Sequence, residues 1–271
     1  MSKSTKKITV TKPSCLIYGS SGRMGIELIE ILKNHPRLRL EATVNSNEIL
    51  AFDEKHTAVL KTNPQALTAV LQGADFIIDF SSPDGTKALT KALSRVDGKT
   101  VLVGTTGISD KEKSAIRKVA ETNHHKILMA GNTSLGVASL AKLVRSAARM
   151  LESNDFDIEI LETHHRMKVD APSGTALLLA KVLQSVRPEL DVIFNRSGKR
   201  KPNTIGIHSI RGGGVIGEHT VRFISANEEL SFSHNAFSRS LFASGALQLI
   251  SELDDKVKPG IAMELFEFLA D

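Results

Sequence analysis

The sequence predicts an α/β protein in two parts: an N-terminal doubly wound parallel sheet, and a second α+β domain built on a mixed sheet. Three observations predict it. Short, wholly apolar runs alternate with helical periodicity over the first 130 or so residues; the pattern turns strand-rich after Asn132; and a glycine-rich turn joins the first apolar run to the first helix. The boundaries that follow are residues 1–133 for the first domain and 134–239 for the second, with 240–271 returning to complete the first.

The first domain begins with CLIYG, followed by a helix from about Arg23 to Asn34, the run LRLEATVN and a helix near 64–72. ADFIIDF, a helix near 85–95, TVLVGTT, a helix near 110–122 and KILMAGN complete it. Strands that are apolar throughout are buried on both faces, as in parallel sheets, and the helices supply the crossovers. The second domain opens with a helix from about Leu135 to Leu151, then FDIEILETHH and a helix from about Gly174 to Val186. Three β-like runs follow, TIGIHSIR, GEHTVRFIS and EELSFSHNA, with the short reversal ANEE pointing to antiparallel neighbours. A closing helical stretch spans Ser238 to Leu253.

Composition narrows the function. A chain of 271 residues suits two domains, and no run approaches 18 apolar residues, so no membrane span is expected. The start, MSKSTKKITVTKPS, lacks the apolar centre of a secretory signal. The single cysteine, Cys15, lies in an apolar run and reads as a buried structural thiol; one cysteine makes no internal disulfide, which fits a reducing cytoplasm. The net charge of +5 is scattered and aromatic residues are few, which argues against a nucleic-acid surface and suits small anionic ligands.

In YGSSGRMGIELIEIL, Gly19, Gly22 and Gly25 stand between the first strand and the first helix. The spacing departs from G-x-G-x-x-G, yet its place in a chain-initial βαβ unit gives a Rossmann-like cofactor turn. Glycine first turns the chain, glycine second lets N–H groups approach a pyrophosphate, and glycine third lets helix pack on strand. Gly19, Ser20, Ser21, Gly22, Arg23 and Met24 are therefore the candidate phosphate contacts. At the end of the second strand, where a carboxylate would bond the adenosine ribose, this chain has Asn45, which does not repel a 2′-phosphate; with Arg23 as a nearby cation, the expectation is NADPH or NADH, leaning to NADPH. Two later strand ends, with Gly104, Thr105 and Thr106 and with Gly131, Asn132 and Thr133, suit the nicotinamide end.

The stretch ETHHRMKVDAPSGTALLLAK, residues 162–181, combines two imidazoles, an ammonium and a turn opening a helix. It suggests proton donation to, and grip on, an anion. N–H groups near Ser173, Gly174 and Thr175 open the helix and can bind a carboxylate; taken alone the same residues read rather as a simple N-cap, and the preceding His-His-x-x-Lys pattern reverses that preference. The setting is not a G-x-S-x-G elbow, so Ser173 is not a hydrolase nucleophile. Adjacent histidines without a third clustered ligand do not make a metal site, and none is expected.

GSSGRMG, IIDFSSPDGT, VGTTG, EILETHHRMKVDAPSGTA, IRGGGVIGEHTVRF and HNAFSRSLFASGA, in this order, resemble the 4-hydroxy-tetrahydrodipicolinate reductase (dihydrodipicolinate reductase) family. The resemblance implies a dinucleotide-binding domain completed by the C-terminal helix, and a second domain that binds substrate and builds a homotetramer. It implies NAD(P)H-dependent reduction of a cyclic imine dicarboxylate in lysine and diaminopimelate biosynthesis. By match of residues, His164 is the general acid that quenches the carbanion equivalent. An imidazole suits that task at neutral pH. Lys168 assists as a second donor or balances substrate charge, and His165, projecting to the other side of an extended run, is a substrate contact. The chain departs from the family pattern at Asn45 and Ser46, where a Glu-Arg pair is frequent, at Ser82, where arginine is, and at Thr133, where an aromatic is. Glu162 and Asp170 are candidate partners of an imidazole, and Arg211 and Arg239 are candidate contacts for the substrate's second carboxylate or structural residues; Glu218 and His219 are structural or line the pocket, His208 and His234 read as packing histidines, and these four stay outside the catalytic set. Two other readings remain open: a nicotinamide-dependent dehydrogenase of another small acid, and a non-catalytic dinucleotide sensor.

Overall fold

The computed structural model describes residues 12–52, 57–151 and 156–269. Along the chain, β1 (Ser14–Tyr18), α1 (Arg23–Lys33), β2 (Arg39–Val44), β3 (Glu48–Phe52), β4 (Thr57–Lys61), α2 (Pro64–Gly73) and β5 (Phe76–Asp79) come first. Next are α3 (Pro83–Leu93), β6 (Thr100–Val103), α4 (Asp110–Thr122), β7 (Lys126–Met129), α5 (Leu135–Met150), β8 (Asp157–His164) and α6 (Gly174–Gln184). The chain continues through β9 (Asp191–Phe194), β10 (Thr204–Arg211), β11 (Gly217–Ile224), β12 (Glu229–Ala236), α7 (Ser240–Lys256), β13 (Ile261–Glu264) and α8 (Leu265–Phe268). No helix among the described residues is long and apolar enough to cross a membrane.

The first sheet has the order β13-β7-β6-β5-β1-β2-β3-β4. β1 pairs in parallel with both β2 and β5, and β5 with β6. The chain leaves β1 toward β2 and resumes on the other side at β5, so the strand order reverses between β1 and β5. Ligands of open α/β sheets gather at such a switch point. Cys15, Leu16, Ile17, Ile77 and Ile78 are fully buried, which is why these strands read as unbroken apolar runs. Burial pushes the Cys15 thiol up to about 12, so it is an inert core group.

The sheet is not parallel throughout. β3 and β4, which the sequence reading passed over, extend it antiparallel beyond β2. The Asn45 side-chain oxygen accepts from the N–H groups of Asn47 and Glu48, at 2.8 and 2.9 Å, and closes the reversal. Every residue of β4 is exposed, as befits an edge, and its alternation carries no buried face to announce it.

The second sheet has the order β12-β11-β8-β10-β9. β8 runs parallel to β10 and antiparallel to β11, so the sheet is mixed, as expected. Along β8 burial alternates: Ile158, Ile160, Glu162 and His164 are buried, while Glu159, Leu161 and Thr163 are half-buried on the other face. α5 and α6 pack on each other and against β12 and β8 respectively.

The chain divides into two units, Met1–Ile127 with Leu253–Ile261, and Leu128–Glu252 with Ala262–Asp271. Of the C-terminal segment expected to complete the first domain, Leu253–Ile261 belongs to the first unit. It is tied there by Asp254, which accepts from Thr100 Oγ1 at 2.8 Å and from Lys126 Nζ at 2.9 Å.

The glycine turn fixes how α1 leaves β1. A Cβ on Gly25 would lie 2.5 Å from the Gly19 carbonyl oxygen, a backbone atom with little freedom to move. Gly25→Ala should therefore cost about 1–3 kcal/mol, the usual range for overpacking. It should appear as a lower urea midpoint; an unchanged midpoint would show that the turn relaxes without strain.

Candidate active site

The alternation of β8 brings Glu162 and His164 to one buried face at the carboxyl end of the strand, at 0% and 7% exposure. His164 Nδ1 lies 2.5 Å from Glu162 Oε2. Arg211, opposite His164 in the β8–β10 register, donates from Nη1 and Nη2 to the two carboxylate oxygens at 2.9 and 2.7 Å. The Ser173 N–H donates to Oε1 at 3.2 Å. Burial alone would raise the Glu162 pKa, but side-chain hydrogen bonding, led by Arg211 and joined by Ser209 and His164, outweighs it and brings it down to about 2. The carboxylate stays ionised, so the His164 proton belongs on Nδ1 and Nε2 is the working nitrogen, a tautomer assigned from the hydrogen-bond network. A Cβ on Gly217 would meet His164 Nε2 at 3.1 Å, so a side chain there would crowd it. Burial lowers the His164 pKa, Glu162 pulls it upward, and Lys168 and Arg211 add to the lowering.

His219, on β11 opposite Glu162, stands edge-on to His164 with ring centroids 5.1 Å apart. Its Nε2 is 3.0 Å from Ser173 Oγ, and its Nδ1 is buried with no partner. Burial, reinforced by His164, brings its pKa down to about 3, so the ring is neutral at ordinary pH. Glu162, His164 and His219 offer three ligand atoms within 4.8 Å of one another. The fold thus forms a trio that omits His165, rather than adding a third ligand to the adjacent histidines. The case against a cation passes instead to Arg211, whose guanidinium occupies both Glu162 oxygens and would repel one.

The remaining expected residues of this unit fall into place around α6. Ser173 caps the helix, its Oγ accepting from Ala176 N at 3.2 Å. The Ser173 N–H is committed to Glu162, whereas those of Gly174 and Thr175 have no partner among the described residues. No protein atom lies within 4 Å of where a Gly174 Cβ would be. Lys168 pairs with Asp170, Nζ to Oδ1 2.8 Å. His165 is half-buried just beyond β8, its N–H donating to the Val215 carbonyl at 2.6 Å. Asn132 donates from Nδ2 to Thr175 Oγ1 at 2.7 Å and accepts from Ser134 N at 2.8 Å. Thr133 is buried and donates to the Phe242 carbonyl at 2.7 Å, so neither side chain is spare for a ligand; Gly131 is exposed.

In the first unit, the glycine turn sits at the switch point. Gly19 has φ +88°, and a Cβ there would lie 2.5 Å from the Phe80 carbonyl oxygen, so only glycine fits. Gly19 and Ser20 donate to the Val44 carbonyl, and Gly22 to that of Gly19. The N–H groups of Ser21, Arg23 and Met24 have no partner among the described residues. α1 has no side-chain cap and no acidic residue in its first turn, whereas α2, α3, α4, α5 and α6 are capped by Asn63, Ser82, Ser109, Ser134 and Ser173. These features fit the pyrophosphate of a dinucleotide. Gly104 admits the Phe80 ring, and Thr105 Oγ1 accepts from Ser81 N at 3.1 Å; Thr106 is exposed. The Asn45 oxygen is spent on its turn, leaving only its amide NH2, which donates to Glu48 at 3.5 Å.

A glycine turn at the switch point of a parallel sheet, in a chain whose other unit mounts a buried imidazole on a mixed sheet, defines a two-unit nicotinamide-dependent oxidoreductase. Known proteins narrow the class. Family models described as dihydrodipicolinate reductase, N-terminus, and dihydrodipicolinate reductase, C-terminus, match residues 14–133 and 136–269. The 4-hydroxy-tetrahydrodipicolinate reductase of Paraburkholderia phymatum is 40% identical over 251 residues, covering 88% of this chain and 92% of that one. That of Chromobacterium violaceum is 39% identical over 255 residues, 89% and 93%. A solved dipicolinate-bound dihydrodipicolinate reductase from Paenisporosarcina sp. TG-14 has the same fold, with a TM-score of 0.71 at 23% identity over 94% of this chain and 98% of that one. The chain belongs to the dihydrodipicolinate reductase family.

Around His164, Glu162 takes the place expected of an imidazole's partner, while Arg211 and His219 lay outside the expected catalytic set. Glu162 had a signal, two positions before His164 on an alternating strand. Arg211 and His219 stand in the motif IRGGGVIGEHTVRF, but their place beside Glu162 rests on the pairing of β8 with β10 and β11, which is not written in local pattern.

Buried neutral His219 links stability to acidity. Its folded pKa, about 3, lies below the ordinary value of 6.5, so its contribution is complete above pH 6.5 and is lost as pH falls toward 3. His219→Gln, which can still bond Ser173, should make the unfolding free energy fall less steeply across that window. The difference should reach about 1.4 kcal/mol per pH unit, one proton's worth. Chemical denaturation at a series of pH values measures it, and parallel slopes would refute the assignment.

Proposed function

We propose that this chain reduces 4-hydroxy-tetrahydrodipicolinate, a cyclic imine dicarboxylate, to tetrahydrodipicolinate with NADPH or NADH, in lysine and diaminopimelate biosynthesis. The observation that carries the reading is the buried Glu162–His164 pair, tied to the start of α6 by the bond from the Ser173 N–H to Glu162. When bound, the nicotinamide supplies hydride to the conjugated imine. His164, protonated, then gives its Nε2 proton to the substrate carbon, and Glu162 holds the ring by Nδ1. Lys168 assists as a second donor or charge partner. His165, Ser173, Gly174 and Thr175 hold the substrate carboxylates, the last two through their free N–H groups and Ser173 through its place as the helix cap.

On the cofactor side, Gly19, Ser20, Ser21, Gly22, Arg23 and Met24 cradle the pyrophosphate, with Gly104, Thr105, Thr106, Gly131, Asn132 and Thr133 toward the nicotinamide. The side-chain commitments of Thr105, Asn132 and Thr133 favour backbone contacts there. Asn45 and exposed Arg23 favour NADPH. The residues up to about Thr133 form the dinucleotide domain. The following domain binds substrate, and the open face of its sheet, bearing Glu159, Leu161 and Thr163, builds a homotetramer in the cytoplasm.

Loss of nicotinamide absorbance, with enzymatically generated substrate and either cofactor, tests the activity; no substrate-dependent oxidation by folded protein would refute it. His164→Gln should lower kcat about 10²–10⁴-fold, the usual contribution of a general acid, with little change in KM. A rise in KM at constant kcat would make His164 a binding residue instead. Asn45→Glu should lower kcat/KM for NADPH relative to NADH, because a carboxylate at the end of β2 repels a 2′-phosphate. Measuring both cofactors on one preparation checks it, and an unchanged ratio would take cofactor choice away from this position.

A further inference from the structure

We propose that Arg211 is a positioning residue for the proton donor, acting on His164 through Glu162 and on the Lys168 loop through the Asp170 carbonyl. The inference rests on the reading of His164 as proton donor. Arg211 donates to both Glu162 oxygens and, from Nη2, to the Asp170 carbonyl at 2.6 Å; Nη1 also donates to the Ile210 carbonyl at 2.8 Å. One guanidinium therefore joins the end of β10, the end of β8 and the turn that carries the Lys168–Asp170 pair.

Glu162 is saturated by this arrangement. A carboxylate has about four lone-pair positions. Oε2 accepts from His164 Nδ1 and Arg211 Nη1, and Oε1 from Arg211 Nη2 and Ser173 N. A carboxylate so held has no remaining site for a proton and no freedom to turn away, so it orients the ring rather than exchanging protons with it. Losing the guanidinium would leave a fully buried carboxylate with half its donors and an unbalanced charge against the imidazole.

The charged and titratable groups that face His164 are Glu162 on its own strand, Arg211 from β10, His219 from β11 with His234 beyond it on β12, and His165, Lys168 and Asp170 from the following turn. His219 is neutral, and Lys168 is paired with Asp170. Glu162 raises the ring's titration, and Lys168 and Arg211 lower it, Arg211 being the cation bonded to Glu162 itself. Removing Glu162 and removing Arg211 must move its titration in opposite directions, and a fall in kcat when the fork is lost at constant charge is the behaviour that a merely neighbouring ion pair would not produce.

The test uses the full chain and the variants R211M, R211K and E162Q, with kcat, KM and pH profiles for reductase turnover, and the His164 ring titration followed by NMR in the absence of substrate. R211M should raise the His164 titration and E162Q should lower it, each by about one unit or more, the scale of a neighbouring charge. R211K, which keeps the charge but not the fork, should leave the titration near that of the unaltered chain. Its kcat should nevertheless fall about 10-fold or more, as when the outer partner of a working imidazole is lost. NMR titrations of R211M and E162Q that coincide with that of the unaltered chain, or R211K with full kcat, would overturn the proposal. Opposed NMR shifts in a chain that lacks reductase activity would instead overturn the proposed function and leave Arg211 as the residue that sets the ring. If R211M does not fold, E162Q and R211K decide the question.

Discussion

The second unit is organised by one buried charge. A carboxylate removed from water is costly unless every lone pair is answered, and Glu162, with no exposed surface, is answered by an imidazole, a guanidinium and a backbone amide. Those donors come from β8, from β10 and from the turn before α6. Satisfying one side chain therefore requires that the two strands lie parallel in a single register and that the helix start where it does. The geometry of the His164 ring and the start of α6 follow from the same set of bonds.

The first unit meets a different constraint, that of backbone approaching backbone. Gly19 stands where the Phe80 carbonyl leaves no room for a Cβ, Gly25 where the Gly19 carbonyl leaves none, and Gly104 where the Phe80 ring fills the space. Beneath them, buried Asp79 accepts from Ser81 Oγ at 2.6 Å and from Thr86 Oγ1 at 2.5 Å, which fixes the start of α3. Burial raises the Asp79 pKa, and these hydroxyl contacts oppose the rise. The turn at the switch point is therefore rigid on its protein side, while the N–H groups of its helix remain uncommitted.

Much of this could be read from the chain before any coordinates, because the signals were local. Apolar runs such as CLIYG and ADFIIDF are central strands buried on both faces, and GSSGRMG is the turn their crossover requires. What escaped was set by partners distant in sequence or by weak local pattern. β4, TAVLK, has no buried face, so nothing in its alternation separates it from a loop. The short β9, DVIF, gains its place from pairing with β10. Arg211 reads from the sequence as a contact for the substrate's second carboxylate or as a structural residue; it bonds Glu162, which it reaches because β10 pairs with β8. Asn132 and Thr133 stand at the end of β7 as expected, yet their side chains are used in packing, a use that depends on where α6 and α7 arrive.

The alternation of β8 also limits how this chain can change in length. Loops of varied size can be accepted between strands, but a single residue gained or lost inside Asp157–His164 would rotate the strand by one side chain. For a change before Leu161, Leu161 and Thr163 would enter the buried face and Glu162 and His164 would pass to the other, away from Arg211 and His219; a change at Thr163 would put the carboxylate and the imidazole on opposite faces. The carboxylate and the imidazole share one frame, and insertions or deletions that spare it are confined to the segments before Asp157 and after His164.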